Sequence, residues 1–108
     1  MTESIDVVHA ASRFLLLASD AEKVVFDHNY DLQNLREYEW QTLEQITHEK
    51  LFRRLKVMSR LYPWPSAPNE RGFVEVGLGE RRRIRFQIDF LTEAGNESAT
   101  VRKISDES

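Results

Sequence analysis

Between Arg83 and Phe90 the chain alternates without a break: Arg83, Arg85, Gln87 and Asp89 fall between Ile84, Phe86, Ile88 and Phe90. A period of two sends successive side chains to opposite faces, so the segment predicts an antiparallel strand with one dry face and one wet face. Such a strand needs neighbours of matching parity and a layer to cover its dry face. With Gly79-Glu80-Arg81 as a three-residue loop, Leu78 faces Arg82, Val76 faces Ile84 and Val74 faces Phe86. A two-residue loop would set Glu75 against Ile84 and mix the faces. Downstream, a turn through Glu93-Ala-Gly-Asn96 sets Phe90 against Ala99 and Ile88 against Val101. Both hairpins then agree on one apolar face, and a three-stranded antiparallel meander is expected.

The covering layer is expected from residues 32–61, which hold neither proline nor glycine. Leu43, Ile46, Leu51, Leu55, Met58 and Tyr62 recur mostly three or four residues apart, a helical stripe. Asp31 suits its N-cap, and Glu49 with Arg53 forms a favourable i,i+4 pair. Thr47 marks a candidate break into two shorter helices. Pro63 is expected to end the helix, because the residue before a proline disfavours the α conformation. Residues 63–70, Pro-Trp-Pro-Ser-Ala-Pro-Asn-Glu, read as an extended connector. Ile5, Val7, Val8, Ala10 and Ala11 fit a short helix as well as a strand, and residues 13–27 admit two readings. Two apolar runs, 13–18 and 23–27, flank a polar turn and suggest a hairpin, and Val24-Val25-Phe26 favours it. Ser19 with Glu22 matches a capping box that would instead open a helix at Asp20. The expected class is α+β: an N-terminal hairpin or short helix, a long helix with a candidate break near 47, then the three-stranded meander packed on the helix. A length of 108 residues fits one domain, with residues 105–108 as a disordered tail.

With no cysteine in the chain, disulfides, Cys-ligated metals and thiol nucleophiles are excluded. The only early apolar run, 14–18, is too short for an export signal and is followed by Asp20 and Glu22. A cytoplasmic protein without a membrane partner is expected. Net charge is −3, but residues 1–49 carry three basic against ten acidic side chains, and residues 50–104 carry twelve against six. Halves of opposite sign are a partner clue. The polarity of residues 31–60, acidic first and basic (Arg53, Arg54, Lys56, Arg60) last, suits a helix dipole with no partner at all.

No phosphate loop, nucleophile elbow, zinc-binding helix or calcium loop is present. His9, His28 and His48 lack a second histidine three or four residues on, so no two-ligand helix face is expected, and neither a metal nor a cofactor. Asp27-His28-Asn29-Tyr30-Asp31 is the densest polar cluster, and it reads as a turn leading to an N-cap rather than an acid–base site. Arg81, Arg82, Arg83 and Arg85 form the densest basic run. Arg83 and Arg85 share the wet face with Gln87 and Asp89, and Arg102 falls opposite Gln87. Such a face either binds phosphate or carboxylate groups, or is a solvated surface whose arginine stems cover apolar area. Phe86 and Phe90 point the other way, which argues against base stacking. Trp64, between two prolines, either docks a partner or folds over the helix–sheet seam, the seam being preferred. Trp40 suits a helix–helix or dimer contact.

A non-enzymatic protein–protein interaction or regulatory module therefore fits the chain best, with self-association or a protein partner expected at Arg81, Arg82, Arg83, Arg85, Arg102 and Trp64. The alternative is a small nucleic-acid-binding protein or ribonuclease using the strand at 81–85. A helix, an arginine-rich strand and a final strand ending in Val101-Arg-Lys-Ile104 loosely resemble the C-terminal part of RelE/ParE-type toxins. That resemblance implies phosphate contacts from Arg83, Arg85 and Arg102. Residues 1–45 do not follow that family, whose members are usually basic, and the chain is not assigned to it. A third class, an enzyme acting on a small metabolite, would need a deep pocket with a convergent histidine and carboxylate.

Overall fold

Asp6 decides how the chain begins. In the computed structural model, which describes residues 3–64 and 67–107, its carboxylate accepts the His9 amide at 2.7 Å and caps α1 (Val7–Ala18). Ala10, Ala11, Phe14, Leu15 and Ala18 form the buried stripe of this helix. Ser19 closes it: the Ser19 amide donates to Leu15 O at 3.0 Å and its hydroxyl to Leu16 O at 2.6 Å. The capping-box reading therefore fails at Ser19, and so does the hairpin, because residues 13–18 are helical. Val24-Val25-Phe26 is extended as its β-rich composition predicts, in β2 (Lys23–Phe26). A short β1 (Glu3–Ser4) pairs in parallel with β3 (Gln41–Thr42).

The long helix is a second correction. Asp31 does cap a helical turn, accepting from the Gln33 amide at 3.0 Å, but that turn is a 3-10 segment of four residues, Leu32–Leu35. Local side-chain bonding then competes with helix propagation. The Gln41 amide oxygen accepts the amides of Glu37 and Tyr38 at 2.8 and 3.2 Å, bonds that a helix would spend on backbone carbonyls. The helix restarts as α2 (His48–Met58), with the Thr47 hydroxyl accepting the Lys50 amide at 3.1 Å. The expected break near 47 is thus a true start. Pro63 does not end α2. Arg60, at φ 61°, reverses the chain, while Leu61 N–H donates to Lys56 O and Arg60 N–H to Val57 O. That is a Schellman motif closed by a residue other than glycine.

The remaining strands are β4 (Asn69–Leu78), β5 (Arg82–Glu93) and β6 (Asn96–Glu107), in one antiparallel sheet of order β2-β6-β5-β4. The meander is therefore part of a larger, four-stranded sheet. Leu78 faces Arg82, Val76 Ile84 and Val74 Phe86, and across the other hairpin Phe90 faces Ala99 and Ile88 Val101. Residues 105–107 belong to β6, so they are not an unordered tail; Ser108 lies outside the described residues, as do Pro65 and Ser66 of the connector. The ladder shifts once. Arg85 faces Ser105 and Phe86 faces Lys103, so Ile104 is an extra residue, a β-bulge. Beyond it the parity of β6 reverses: Lys103 shares the inner side with Val101, and past Ile104 it is Asp106, opposite Ile84, that turns inward.

Both helices cover one face of the sheet. Phe14 of α1 meets Phe26 edge-on at 5.3 Å between ring centres, and Phe52 of α2 meets Phe90 at 5.4 Å. Leu51, Leu55, Ile84, Phe86, Ile88 and Val101 fill the space between. One ion pair lies inside this layer: the fully buried Lys56 ammonium is 3.0 Å from a Glu70 carboxylate oxygen. Fold class is α+β, two helices on a four-stranded antiparallel sheet. Among the described residues no helix is long and apolar enough to cross a membrane.

Candidate interaction surface

The face of the sheet turned away from the helices follows from the register. Phe73 of β4 faces Gln87 of β5, Gln87 faces Arg102 of β6, and Arg102 faces Lys23 of β2. These four residues form one rung across the sheet, with neighbouring strands about 4.8 Å apart. The next rung runs Arg71, Asp89, Thr100 and Val25, and on the other side Glu75 faces Arg85 and Gly77 faces Arg83.

Some of the arginines on this face are neutralised and others are not. Arg71 Nε donates to Asp89 at 2.6 Å and Arg83 approaches Glu75 at 3.3 Å. Lys23, Arg85 and Arg102 have no carboxylate within ion-pair distance among the described residues. Arg85 lies over Phe73, 5.2 Å from the ring centre, and Phe73 remains 43% exposed. The result is three such cations across one face, Arg85 over an accessible aromatic ring and Lys23 beside Arg102 toward the opposite edge, with acidic residues between and around them.

The predicted site residues part company here. Arg83, Arg85 and Arg102 come together on the outer face. Arg81 sits exposed in the β4–β5 turn. Arg82 belongs to the opposite side, where its guanidinium grips Asp106 through two bonds of 3.0 and 2.9 Å. Lys103, on the inner side in line with Val101, joins them at 3.5 Å from Asp106, which the bulge turns to that side, and donates to Ser19 O at 3.0 Å, at the C-terminal end of α1. Trp64 is on neither face of the sheet. It is half exposed, not sealed into the seam, and the Arg53 guanidinium stacks on it 3.9 Å from the ring centre. Trp40 stacks on Tyr38 in the loop before α2, ring centres 5.3 Å apart, both exposed.

Lys23, Arg71 and Phe73 are the residues that sequence reasoning missed. Parity placed Phe73 opposite Gln87 on the wet face, a signal already contained in the Val74–Phe86 register. Lys23 had no comparable signal, because β2 joins the sheet through a partner far along the chain.

Two carboxylates report this electrostatic order. Partial burial pushes Asp89 up, but hydrogen bonds from Arg71 and Gln87, with the charges of Arg71 and Arg102, outweigh it and hold the group below its ordinary value. The Arg82 hydrogen bond holds Asp106 low in the same sense. Depressed groups bind protons more weakly folded than unfolded, so their stabilisation is complete above the ordinary value near 3.8 and is lost as pH falls below it. The urea midpoint is therefore expected to fall between about pH 4 and pH 2, and to fall less steeply in an Asp89→Asn/Asp106→Asn variant.

A cleft of about 160 Å³ lies where β2 ends, α2 begins and β5 turns into β6, lined by His28, His48, Asp27, Glu49 and Glu97 among others. It brings histidines and carboxylates together, yet it is smaller than the roughly 300 Å³ at which small-molecule sites begin. His48 Nε2 is engaged with Tyr30 O at 2.8 Å. Among the described residues no group of three or more His, Cys, Asp or Glu side chains is arranged to hold a metal ion. The chain matches no protein-family model and no curated protein.

Proposed function

We propose that this chain is a non-catalytic protein-interaction module that presents the bare outer face of its sheet to an acidic partner protein. One observation carries the proposal: Lys23, Arg85 and Arg102 stand without carboxylate partners among the described residues on the face that no helix covers, with Arg85 over exposed Phe73. Arginine and aromatic side chains dominate the energetic centres of protein interfaces. The same cations would also attract a phosphate backbone. Glu75, Asp89 and Glu107 interleave with them, however, and a face of mixed sign suits a protein surface better than a uniformly anionic polymer.

The test is binding of labelled acidic peptides and of labelled RNA and DNA, at two salt concentrations, to the native chain and to a Lys23→Ala/Arg85→Ala/Arg102→Ala variant. Peptide binding that the variant weakens by about tenfold or more supports the module. Nucleic-acid binding whose salt slope drops by about 3 in the variant replaces it with the phosphate-binding alternative. Binding of neither probe class overturns both.

A further inference from the structure

β4 is the outermost strand, and no described strand pairs with its far side. One bond orients its backbone groups. Thr92 N–H donates to Pro68 O at 2.9 Å, which extends the unbroken β4–β5 register by one position. Bonded pairs alternate along an antiparallel ladder. Glu70, Gly72, Val74, Val76 and Leu78 therefore spend their amides and carbonyls on β5. Asn69, Arg71, Phe73, Glu75 and Gly77 turn theirs to the open side. A groove of about 700 Å³ runs along that side, between Ser59 and Arg60 at the end of α2 and residues 71–75 of β4.

Long open edges are ordinarily blunted by a proline, a bulge, lysines or an inward-pointing charge. β4 has no proline, no lysine and no shift in its ladder, and its inward-pointing charge, Glu70, is engaged by Lys56 near the start of the strand, ahead of residues 71–77. Its outward-bonding residues instead read Arg71, Phe73, Glu75, an order that is its own complement when reversed. We infer that β4 pairs antiparallel with β4 of a second copy of this chain, about a two-fold axis at Phe73, joining the two sheets into one. In that register Arg71 faces Glu75 of the second copy, Phe73 faces Phe73, and Asn69 faces Gly77. All five outward-bonding residues find partners, and five pairs exchanging two bonds each give about ten new backbone hydrogen bonds. Cross-strand pairs of opposite charge and of aromatic rings are the favourable ones. Sliding the register by two residues either way would set Phe73 against Arg71 or Glu75, lose the charge pairing and shorten the ladder. The contact is isologous, so the assembly closes at two copies.

This inference goes beyond the reading of the outer face and can fail without it. The experiment is sedimentation equilibrium over a range of concentrations, with circular dichroism confirming that each variant is folded. The native chain is expected to dimerise. Arg71→Glu and Glu75→Arg chains are each expected to remain monomeric, because like charges then meet across the axis. A one-to-one mixture of the two is expected to dimerise again, since each supplies what the other lost. Glu75→Pro, which removes an amide that points only to the open edge, is expected to leave a folded monomer. A native chain that is monomeric up to roughly 100 micromolar, a dimer that persists in either charge variant, or a mixture that stays monomeric overturns the inference. Acidic-peptide binding by a monomeric chain would leave the outer-face reading in place.

Discussion

Replacing Glu70 by leucine is expected to lower the unfolding free energy by about 3–5 kcal/mol. Lys56 is fully buried on α2, and its ammonium is 3.0 Å from the Glu70 carboxylate on the inner face of β4. The rings of Phe52 and Phe90 stand 5.7 Å from the same ammonium and offer it their π faces. Removing the carboxylate leaves a cation in an apolar layer with only those rings, and the penalty of an uncompensated buried charge exceeds the worth of the pair it replaces. A Lys56→Met/Glu70→Leu double variant is therefore expected to recover most of the loss, because both charges leave together and methionine fills an irregular space. Urea denaturation of the two single variants and the double variant forms a cycle that reads the coupling directly. A double variant as unstable as Glu70→Leu alone would mean that the pair fixes the helix on the sheet in a way apolar packing does not replace.

The second large effect concerns the seam between α2 and β4. Gly72 faces the core, and a Cβ placed there would lie 2.5 Å from Ser59 Cβ and 3.0 Å from Ser59 O. Ser59 has little room to yield. Its amide and hydroxyl both bond to Leu55 O, at 3.0 and 2.8 Å, and it stands where the Schellman motif turns the chain. Gly72→Val is expected to cost about 3 kcal/mol, by prising the end of α2 from the sheet, and Gly72→Ala somewhat less. Gly77 is the internal control. Nothing lies within 4 Å of a Cβ there, so Gly77→Ala should be neutral or stabilising by up to about 1 kcal/mol, through a less flexible unfolded chain. Equal destabilisation at the two positions, read from urea midpoints, would show that Gly72 matters for reasons other than the approach of Ser59.

Much of the sheet was legible in the sequence, and much of the helical layer was not. The residues between Val74 and Val101 carry their register in their own alternation, because each hairpin is local and a one-residue slip would turn its whole apolar set to water. The same parity implied that Phe73 shares a face with Arg85. The stripe from Leu43 to Tyr62 misled in a different way. Leu43 and Ile46 pack toward the core from a loop, and burial from a loop leaves the same apolar letters at the same spacing as burial from a helix. Asp6 and Thr47, the caps that set where the two helices start, weigh little against an apolar run when read alone.

The sequence by itself determined the meander, its two turns and the alternation that makes one face wet, since these depend on neighbours a few residues apart. Only the tertiary structure decided that β2 is the fourth strand, set beside β6 across more than seventy residues of chain. With it came the place of Lys23 beside Arg102 and the open edge of β4. Each of these rests on contacts between distant segments, whose cost in chain entropy is met by burying one shared apolar face, and no local pattern records which distant segment will share it.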